Sequence, residues 1–179
     1  MHSGDCFLVP GPVRMSEACL QAMATPVMTA RGPEFRQVMA GLNSGLRYAF
    51  NLSPSKPEMK TQSWTGEDGY RVVVVSGSGT AAMEMVIANR FRSNDLVLVP
   101  TNGKFGERVA DICRQFCNVK HLNYEWGRSF DLYELEQQLE RGCYEALLIC
   151  HNETSTGITQ DAEAIAEMCE RHGVSLIHI

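Results

Sequence analysis

From residue 70 onward the chain alternates short apolar runs with longer segments whose apolar residues recur every three to four positions. Tyr70–Val75, Leu96–Val99, Val119–Leu122, Ala146–Cys150 and Val174–Ile179 have strand length and are rich in aliphatic or β-branched residues. Residues 80–92, 105–117, 131–141 and 161–172 lie between them and read as helices. In the second of these, Phe105, Val109, Ile112, Cys113 and Phe116 form one stripe; in the third, Leu132, Leu135 and Leu139 turn inward. The β-branched run Tyr70–Val75 reads as a buried strand, and strands here alternate with helices. The pattern therefore dictates an α/β layer with a largely parallel sheet. Ligands in such sheets bind beyond the carboxyl ends of the strands, so the loops after Val75, Val99 and Cys150 are expected to face one crevice.

The first part of the chain is organised differently. Residues 7–15 hold two prolines around a glycine and read as an extended arm. Ser16 is positioned to cap a short helix reaching about Met23. Glu34–Leu46 reads as an amphipathic helix with Phe35, Val38, Met39, Leu42 and Leu46 on its apolar face. Residues 55–69 are polar and irregular, an exposed loop. The expected division is an arm with helices over 1–50, a polar loop over 51–69, and the first part of a large α/β domain over 70–179.

Charge and composition exclude several classes of partner. A net charge of -5, with acids and bases interspersed, offers no basic field to nucleic acid or an anionic membrane. No apolar run is long enough to span a bilayer, and the polar start Met1–Asp5 does not read as a signal peptide, so a cytoplasmic location is expected. Seven cysteines, an odd number without a C-x-x-C pair, read as small buried thiols in a reducing compartment. Cys113 and Cys117 have helical spacing suited to sharing a metal, but no second ligand pair follows, and no metal site is expected.

Three strand-to-helix or strand-to-loop junctions carry groups suited to chemistry. Ser76-Gly77-Ser78-Gly79-Thr80 opens a helix with two glycines and hydroxyls, an arrangement suited to an anion such as phosphate. It is neither a Walker A loop nor a dinucleotide fingerprint, and a plain capped turn is the alternative. In Thr101–Arg108, Phe105 stands at a loop–helix junction where its ring could cover a flat ligand; alternatively it is the first member of the core stripe. His151–Gly157 is dense in hydroxyls that suit a ring hydroxyl or a phosphate, or satisfy their own backbone.

Taken together, Pro10-Gly11-Pro12, Arg31–Phe35, Ser76–Thr80, Asn102-Gly103-Lys104-Phe105-Gly106-Glu107-Arg108 and His151-Asn152-Glu153-Thr154-Ser155-Thr156-Gly157 resemble the class V aminotransferases. Among these the run is most similar to the alanine–glyoxylate, serine–pyruvate and 2-aminoethylphosphonate aminotransferases. The resemblance implies the three-layer large domain of the fold-type-I transferases, here truncated, with pyridoxal 5'-phosphate (PLP) as cofactor. It implies that Ser78, Gly79 and Thr80 cradle the cofactor phosphate, that Phe105 stacks on its ring, and that Ser155 lies beside the ring substituents. It implies that the aspartate facing the pyridine nitrogen and the Schiff-base lysine lie beyond Ile179, so that no catalytic residue stands in these 179 residues and the chain alone is inactive. Alanine or serine as amino donor, glyoxylate or pyruvate as 2-oxo acid acceptor, and a homodimer when intact complete the implied picture. The alternatives are transamination of 2-aminoethylphosphonate, or a phosphate- or nucleotide-binding module without covalent chemistry.

Overall fold

The two middle strands of the central sheet are buried because helices cover both of its faces. The computed structural model describes residues 9–52 and 69–179, in two compact units that meet in sequence between Ser76 and Gly77. The first unit contains α1 (Glu17–Met23) and α2 (Pro33–Ala49). The second contains, in chain order, α3 (Gly79–Arg90), β1 (Leu96–Thr101), α4 (Lys104–Phe116), β2 (Asn118–Asn123), α5 (Leu132–Arg141), β3 (Ala146–Ile149), β4 (Asn152–Glu153), β5 (Ile158–Thr159), α6 (Ala162–His172) and β6 (Ser175–His178).

The main sheet runs β2-β1-β3-β6, and all three pairings are parallel. Val97 stands opposite Val119 on one side and Ala146 on the other, and Ala146 stands opposite Ser175. Side chains alternate across this register. Val97, Val99, Ala146 and Leu148 pack with Ile87 and Phe91, at the end of α3, and with Val109, Ala110, Ile112 and Cys113 of α4. Leu98, Leu147 and Ile149 point to the opposite face and pack with Leu135 and Leu139 of α5 and Ile165, Met168 and Cys169 of α6. The period-2 alternation thus divides one apolar run between two cores, giving helix, sheet and helix as three layers. Each fully buried aliphatic side chain contributes about 1.5–3 kcal/mol.

The chain order explains where a ligand would sit. From β1 the chain passes through α4 to β2 at one edge; it then returns through α5 to β3 on the other side of β1 and continues through α6 to β6. Strand order therefore reverses between β1 and β3, the place where the loops at the carboxyl ends diverge and leave room.

Helix boundaries follow the expected chemistry. The Ser78 hydroxyl accepts from Ala81 N at 3.2 Å. Asp131 accepts from Tyr133 N and Glu134 N, and Asp161 from Ala164 N. Gly173 ends α6 in the left-handed region at φ 65°, where a side chain would be strained. In the first unit Ser16 caps α1 by accepting from Cys19 N. Asn51 closes α2 at φ 52° while Leu52 N donates back to Arg47 O at 2.8 Å.

Two expectations are corrected in the first unit. Tyr70–Val75 is not a buried ladder strand: among the described residues a single bridge at Arg71 is the extent of its pairing, and Val73, Val74 and Val75 are exposed. β-Branched composition favours an extended chain, but a strand is buried only when neighbours pair with its backbone and pack on its faces. On α2 the buried positions are Asn43 and Arg47, while Val38 and Leu42 are exposed and Phe35, Met39 and Leu46 half-buried. The long Arg47 side chain carries its guanidinium to the carbonyl of Tyr70 at 3.0 Å, so a polar anchor takes the place expected for the apolar stripe. The polar loop expected at 55–69 lies almost wholly outside the described residues.

Leu147 is fully buried in the middle of β3. Leu147→Ala is expected to lower unfolding free energy by about 2–5 kcal/mol, read as a lower urea midpoint at an unchanged slope.

Candidate active site

The first turn of α4 lacks a side chain of its own to cap it. Gly103 occupies the N-cap position, so the free N–H groups of this turn need acceptors from elsewhere. The loop after β3 supplies them. The wholly buried carboxylate of Glu153 accepts through Oε2 from Phe105 N at 3.0 Å and Gly106 N at 2.9 Å. Its Oε1 accepts from Ser155 N at 3.1 Å and Ser155 Oγ at 2.6 Å. The Ser155 hydroxyl in turn accepts from Lys104 N at 2.9 Å. A negative charge at the positive end of the α4 dipole, held by these charge-assisted hydrogen bonds, joins the β1–α4 junction to the 153–157 turn.

Local geometry holds Glu153 in place. β4 and β5 form a short antiparallel hairpin, with Asn152 opposite Thr159 and Glu153 opposite Ile158. Glu153 O accepts from Thr156 N and from Gly157 N, and Gly157 takes φ 76° to close the turn. On the other side of the clamp, a Cβ on Gly103 would stand 2.5 Å from Glu153 Cδ and 2.7 Å from Ser155 Oγ. Gly103 has an extended backbone that any residue adopts; glycine is needed there because the carboxylate approaches so closely. Burial, together with the nearby Glu153 charge, pushes the Cys150 thiol up to about 12, so it stays protonated and inert.

The start of α3 presents the opposite situation. Ser78 caps Ala81 N, and among the described residues no acceptor meets the N–H groups of Gly79 or Thr80. A Cβ on Gly79 would meet nothing within 4 Å. Arg108, in the second turn of α4, donates through one guanidinium nitrogen to Thr80 Oγ1 at 3.3 Å and lies 5.2 Å from the centre of the Phe105 ring. Phe105 itself is half-buried and belongs to neither core cluster; the buried α4 stripe begins further along, at Val109. Phe105 is therefore not the first core residue of its helix.

A second polar chain supports the end of β1. Arg114 donates to His121 Nδ1 at 3.0 Å, so the ring proton lies on Nε2 and is given to Thr101 Oγ1 at 2.8 Å. Burial, reinforced by the Arg114 charge, holds the His121 imidazolium below its ordinary value. Asn102, also buried, donates from Nδ2 to Arg128 O. These bonds fix the strand end from which Gly103 and Phe105 depart.

The structure therefore brings the five expected residues to one end of the sheet. Ser78, Gly79 and Thr80 reach Phe105 through Arg108, and the residue preceding Phe105 reaches Ser155 through its backbone. Sequence reasoning did not single out Glu153 or Arg108. A helix opening with Asn102-Gly103 and no capping side chain was the available signal, because it demands an acceptor from another part of the chain. The buried thiols expected at helix and strand positions are found at Cys113, Cys117, Cys150 and Cys169, while Cys19 and Cys143 are exposed. Among the described residues no cluster of three metal-ligating side chains occurs, and no helix is long and apolar enough to cross a membrane.

The family model for class V aminotransferases matches residues 48–178. The chain belongs to the class V aminotransferases. Similar curated proteins include the soluble hydrogenase 42 kDa subunit of Anabaena cylindrica, 32% identical over 96% of this chain and 42% of its own. The (S)-ureidoglycine–glyoxylate transaminase of Bacillus subtilis is 29% identical over 91% of this chain and 36% of its own. Among solved structures, an alanine–glyoxylate aminotransferase from Nostoc sp. superposes with a TM-score of 0.80 at 33% identity, covering 95% of this chain and 41% of that one. The chain thus spans about two fifths of the length of such relatives.

As a class V aminotransferase the chain has pyridoxal 5'-phosphate for its cofactor. The residues present fit that group: open N–H groups and free space at Gly79 for a dianion, an aromatic ring outside the core, and a hydroxyl bonded to the backbone of the residue before that ring.

Glu153→Ala leaves the N–H groups of Phe105, Gly106 and Ser155 without acceptors and is expected to cost about 3–5 kcal/mol in chemical unfolding. His121 takes up a proton less readily when folded, so the unfolded chain binds more protons just below the ordinary value of 6.5. Its contribution to stability is complete above that pH and declines as pH falls toward the folded value. His121→Gln is expected to remove that part of the pH dependence of the urea midpoint.

Proposed function

We propose that the intact protein is an aminotransferase that moves an amino group from a small amino acid, alanine or serine, to a 2-oxo acid, glyoxylate or pyruvate. The observation that carries this reading is the contrast between two helix starts at one end of the sheet. The α4 start is saturated by Glu153, while the α3 start keeps open N–H groups and is tied by Arg108 to an aromatic ring. An anion has a place at α3 and none at α4. Two relatives that use glyoxylate by name support the acceptor.

On this reading Ser78, Gly79 and Thr80 bind the phosphate of PLP through backbone N–H groups, Phe105 covers one face of the ring, and Ser155 borders the ring's polar edge. When bound, the cofactor supplies an electron sink for the bond changes at the amino acid Cα. Ser155 Oγ already donates to Glu153 and accepts from Lys104 N, which leaves it one lone pair with which to receive a ligand donor. Glu153 holds the ring-covering and hydroxyl-bearing segments at a fixed separation before any ligand arrives, so their ordering is not part of the binding cost.

The reading assigns residues 70–179 to the first part of the large cofactor domain, after the arm and helices of 1–50 and the polar loop of 51–69. It places the pyridine-nitrogen aspartate and the Schiff-base lysine beyond Ile179. The intact enzyme is then a cytoplasmic homodimer.

Full-length protein incubated with PLP, alanine and glyoxylate should form pyruvate and glycine. The purified 179-residue chain should not, and turnover by it would overturn the division of labour. Phe105→Ala in the full-length protein is expected to weaken PLP binding about tenfold, measured by equilibrium dialysis; unchanged retention would remove the stacking role.

A further inference from the structure

Arg108 has no part in the cofactor roles assigned above, yet it touches two of the residues that hold them. One guanidinium nitrogen donates to Thr80 Oγ1 at 3.3 Å, and the guanidinium carbon lies 5.2 Å from the centre of the Phe105 ring. No carboxylate pairs with it among the described residues: the neighbouring Glu107 is engaged by Lys104 at 3.3 Å and by Trp126 at 3.2 Å. A guanidinium carries several N–H donors in a planar fork, and a single hydrogen bond to Thr80 leaves most of them uncommitted.

The Thr80 hydroxyl is the second half of the argument. Its oxygen accepts from Arg108, and among the described residues nothing accepts its proton. Its backbone N–H, and that of Gly79, are likewise without acceptors among the described residues. The α3 start therefore combines an uncommitted hydroxyl proton, two N–H groups and a cation held by α4.

We propose that Arg108 is a positioning residue for the cofactor's phosphate: it holds Thr80 with its hydroxyl proton turned toward the ligand and adds positive charge to the α3 start. It also ties that site to Phe105, so that the phosphate end and the ring platform keep a fixed spacing. The inference rests on the PLP reading and adds a residue to it. Ser78 differs in that its hydroxyl accepts from Ala81 N of its own helix and is not bonded by the guanidinium, so Arg108 does not orient it.

The test compares PLP with pyridoxal, which lacks the phosphate, in the full-length protein. Dissociation constants are measured by equilibrium dialysis for wild type, Arg108→Met, Arg108→Lys, Thr80→Val and Thr80→Ser. Arg108→Met and Thr80→Val should each weaken PLP roughly five- to tenfold, the scale of a partly solvated charge contact, and change pyridoxal binding less than about twofold. Arg108→Lys and Thr80→Ser should recover part of the loss. In the double variant the two losses should combine to less than their product, because Thr80 acts through the bond that Arg108 makes.

Equal weakening of both ligands would reduce Arg108 to a packing role and overturn the proposal, as would unchanged PLP affinity in Arg108→Met. If Arg108→Met does not fold, the Arg108→Lys and Thr80 pairs still carry the comparison. Failure of the wild type to prefer PLP over pyridoxal would instead defeat the underlying cofactor reading.

Discussion

The carboxylate of Glu153 is the interaction on which the rest of this end of the molecule depends. It is wholly buried, and among the described residues no arginine or lysine side chain is bonded to it; its charge is met by backbone N–H groups of α4 and by Ser155. Such an arrangement is stable only while every donor stays in place, since a buried charge without partners costs several kcal/mol. The clamp therefore fixes the departure of α4 from the sheet, the position of Phe105 and the orientation of Ser155 with one side chain. It also limits the size of the residue at the N-cap of α4, because the carboxylate itself fills the space beside Gly103.

The sheet and its helices were legible because burial on both faces leaves a plain mark. Leu96–Val99 and Ala146–Cys150 are apolar throughout, and the segments between them repeat at the helical period, so element type, order and approximate bounds all follow. The same logic misled at Tyr70–Val75, where composition matches a buried strand but Val73, Val74 and Val75 are exposed and pairing among the described residues is limited to one bridge. Composition reports what a backbone prefers, whereas burial depends on neighbours distant in sequence. Asn43 and Arg47 were missed for a related reason: a periodic stripe ranks residues by apolarity and overlooks a long polar side chain that is buried with its own partner.

At the site, the residues that the family resemblance implies are linked through Arg108 and through Lys104 N, but the residues that do the linking were not legible. Glu153 lies in a stretch of hydroxyl-bearing residues, and nothing local marks it as buried or marks Arg108 as a link to another helix. Neither the short hairpin of β4 and β5 nor a helix cap supplied from a distant loop has a local pattern to detect. The cap is set by tertiary contact, where the switch in strand order brings the β1 and β3 loops side by side, while the hairpin strands are two residues each and too short to show an alternation.

The distribution of sulfur has its own consequence for handling the protein. Cys113, Cys117, Cys150 and Cys169 are enclosed by the helices and sheet, and burial pushes Cys113 and Cys150 up to about 12 and Cys169 up to about 11. Electrophilic dyes and mild oxidants act on thiolates within reach of solvent. Among the described residues that leaves Cys19, in α1, and Cys143, on the turn into β3. A fluorophore attached at Cys143 would report from the end of β3 remote from the Glu153 clamp while the interior sulfurs stay untouched.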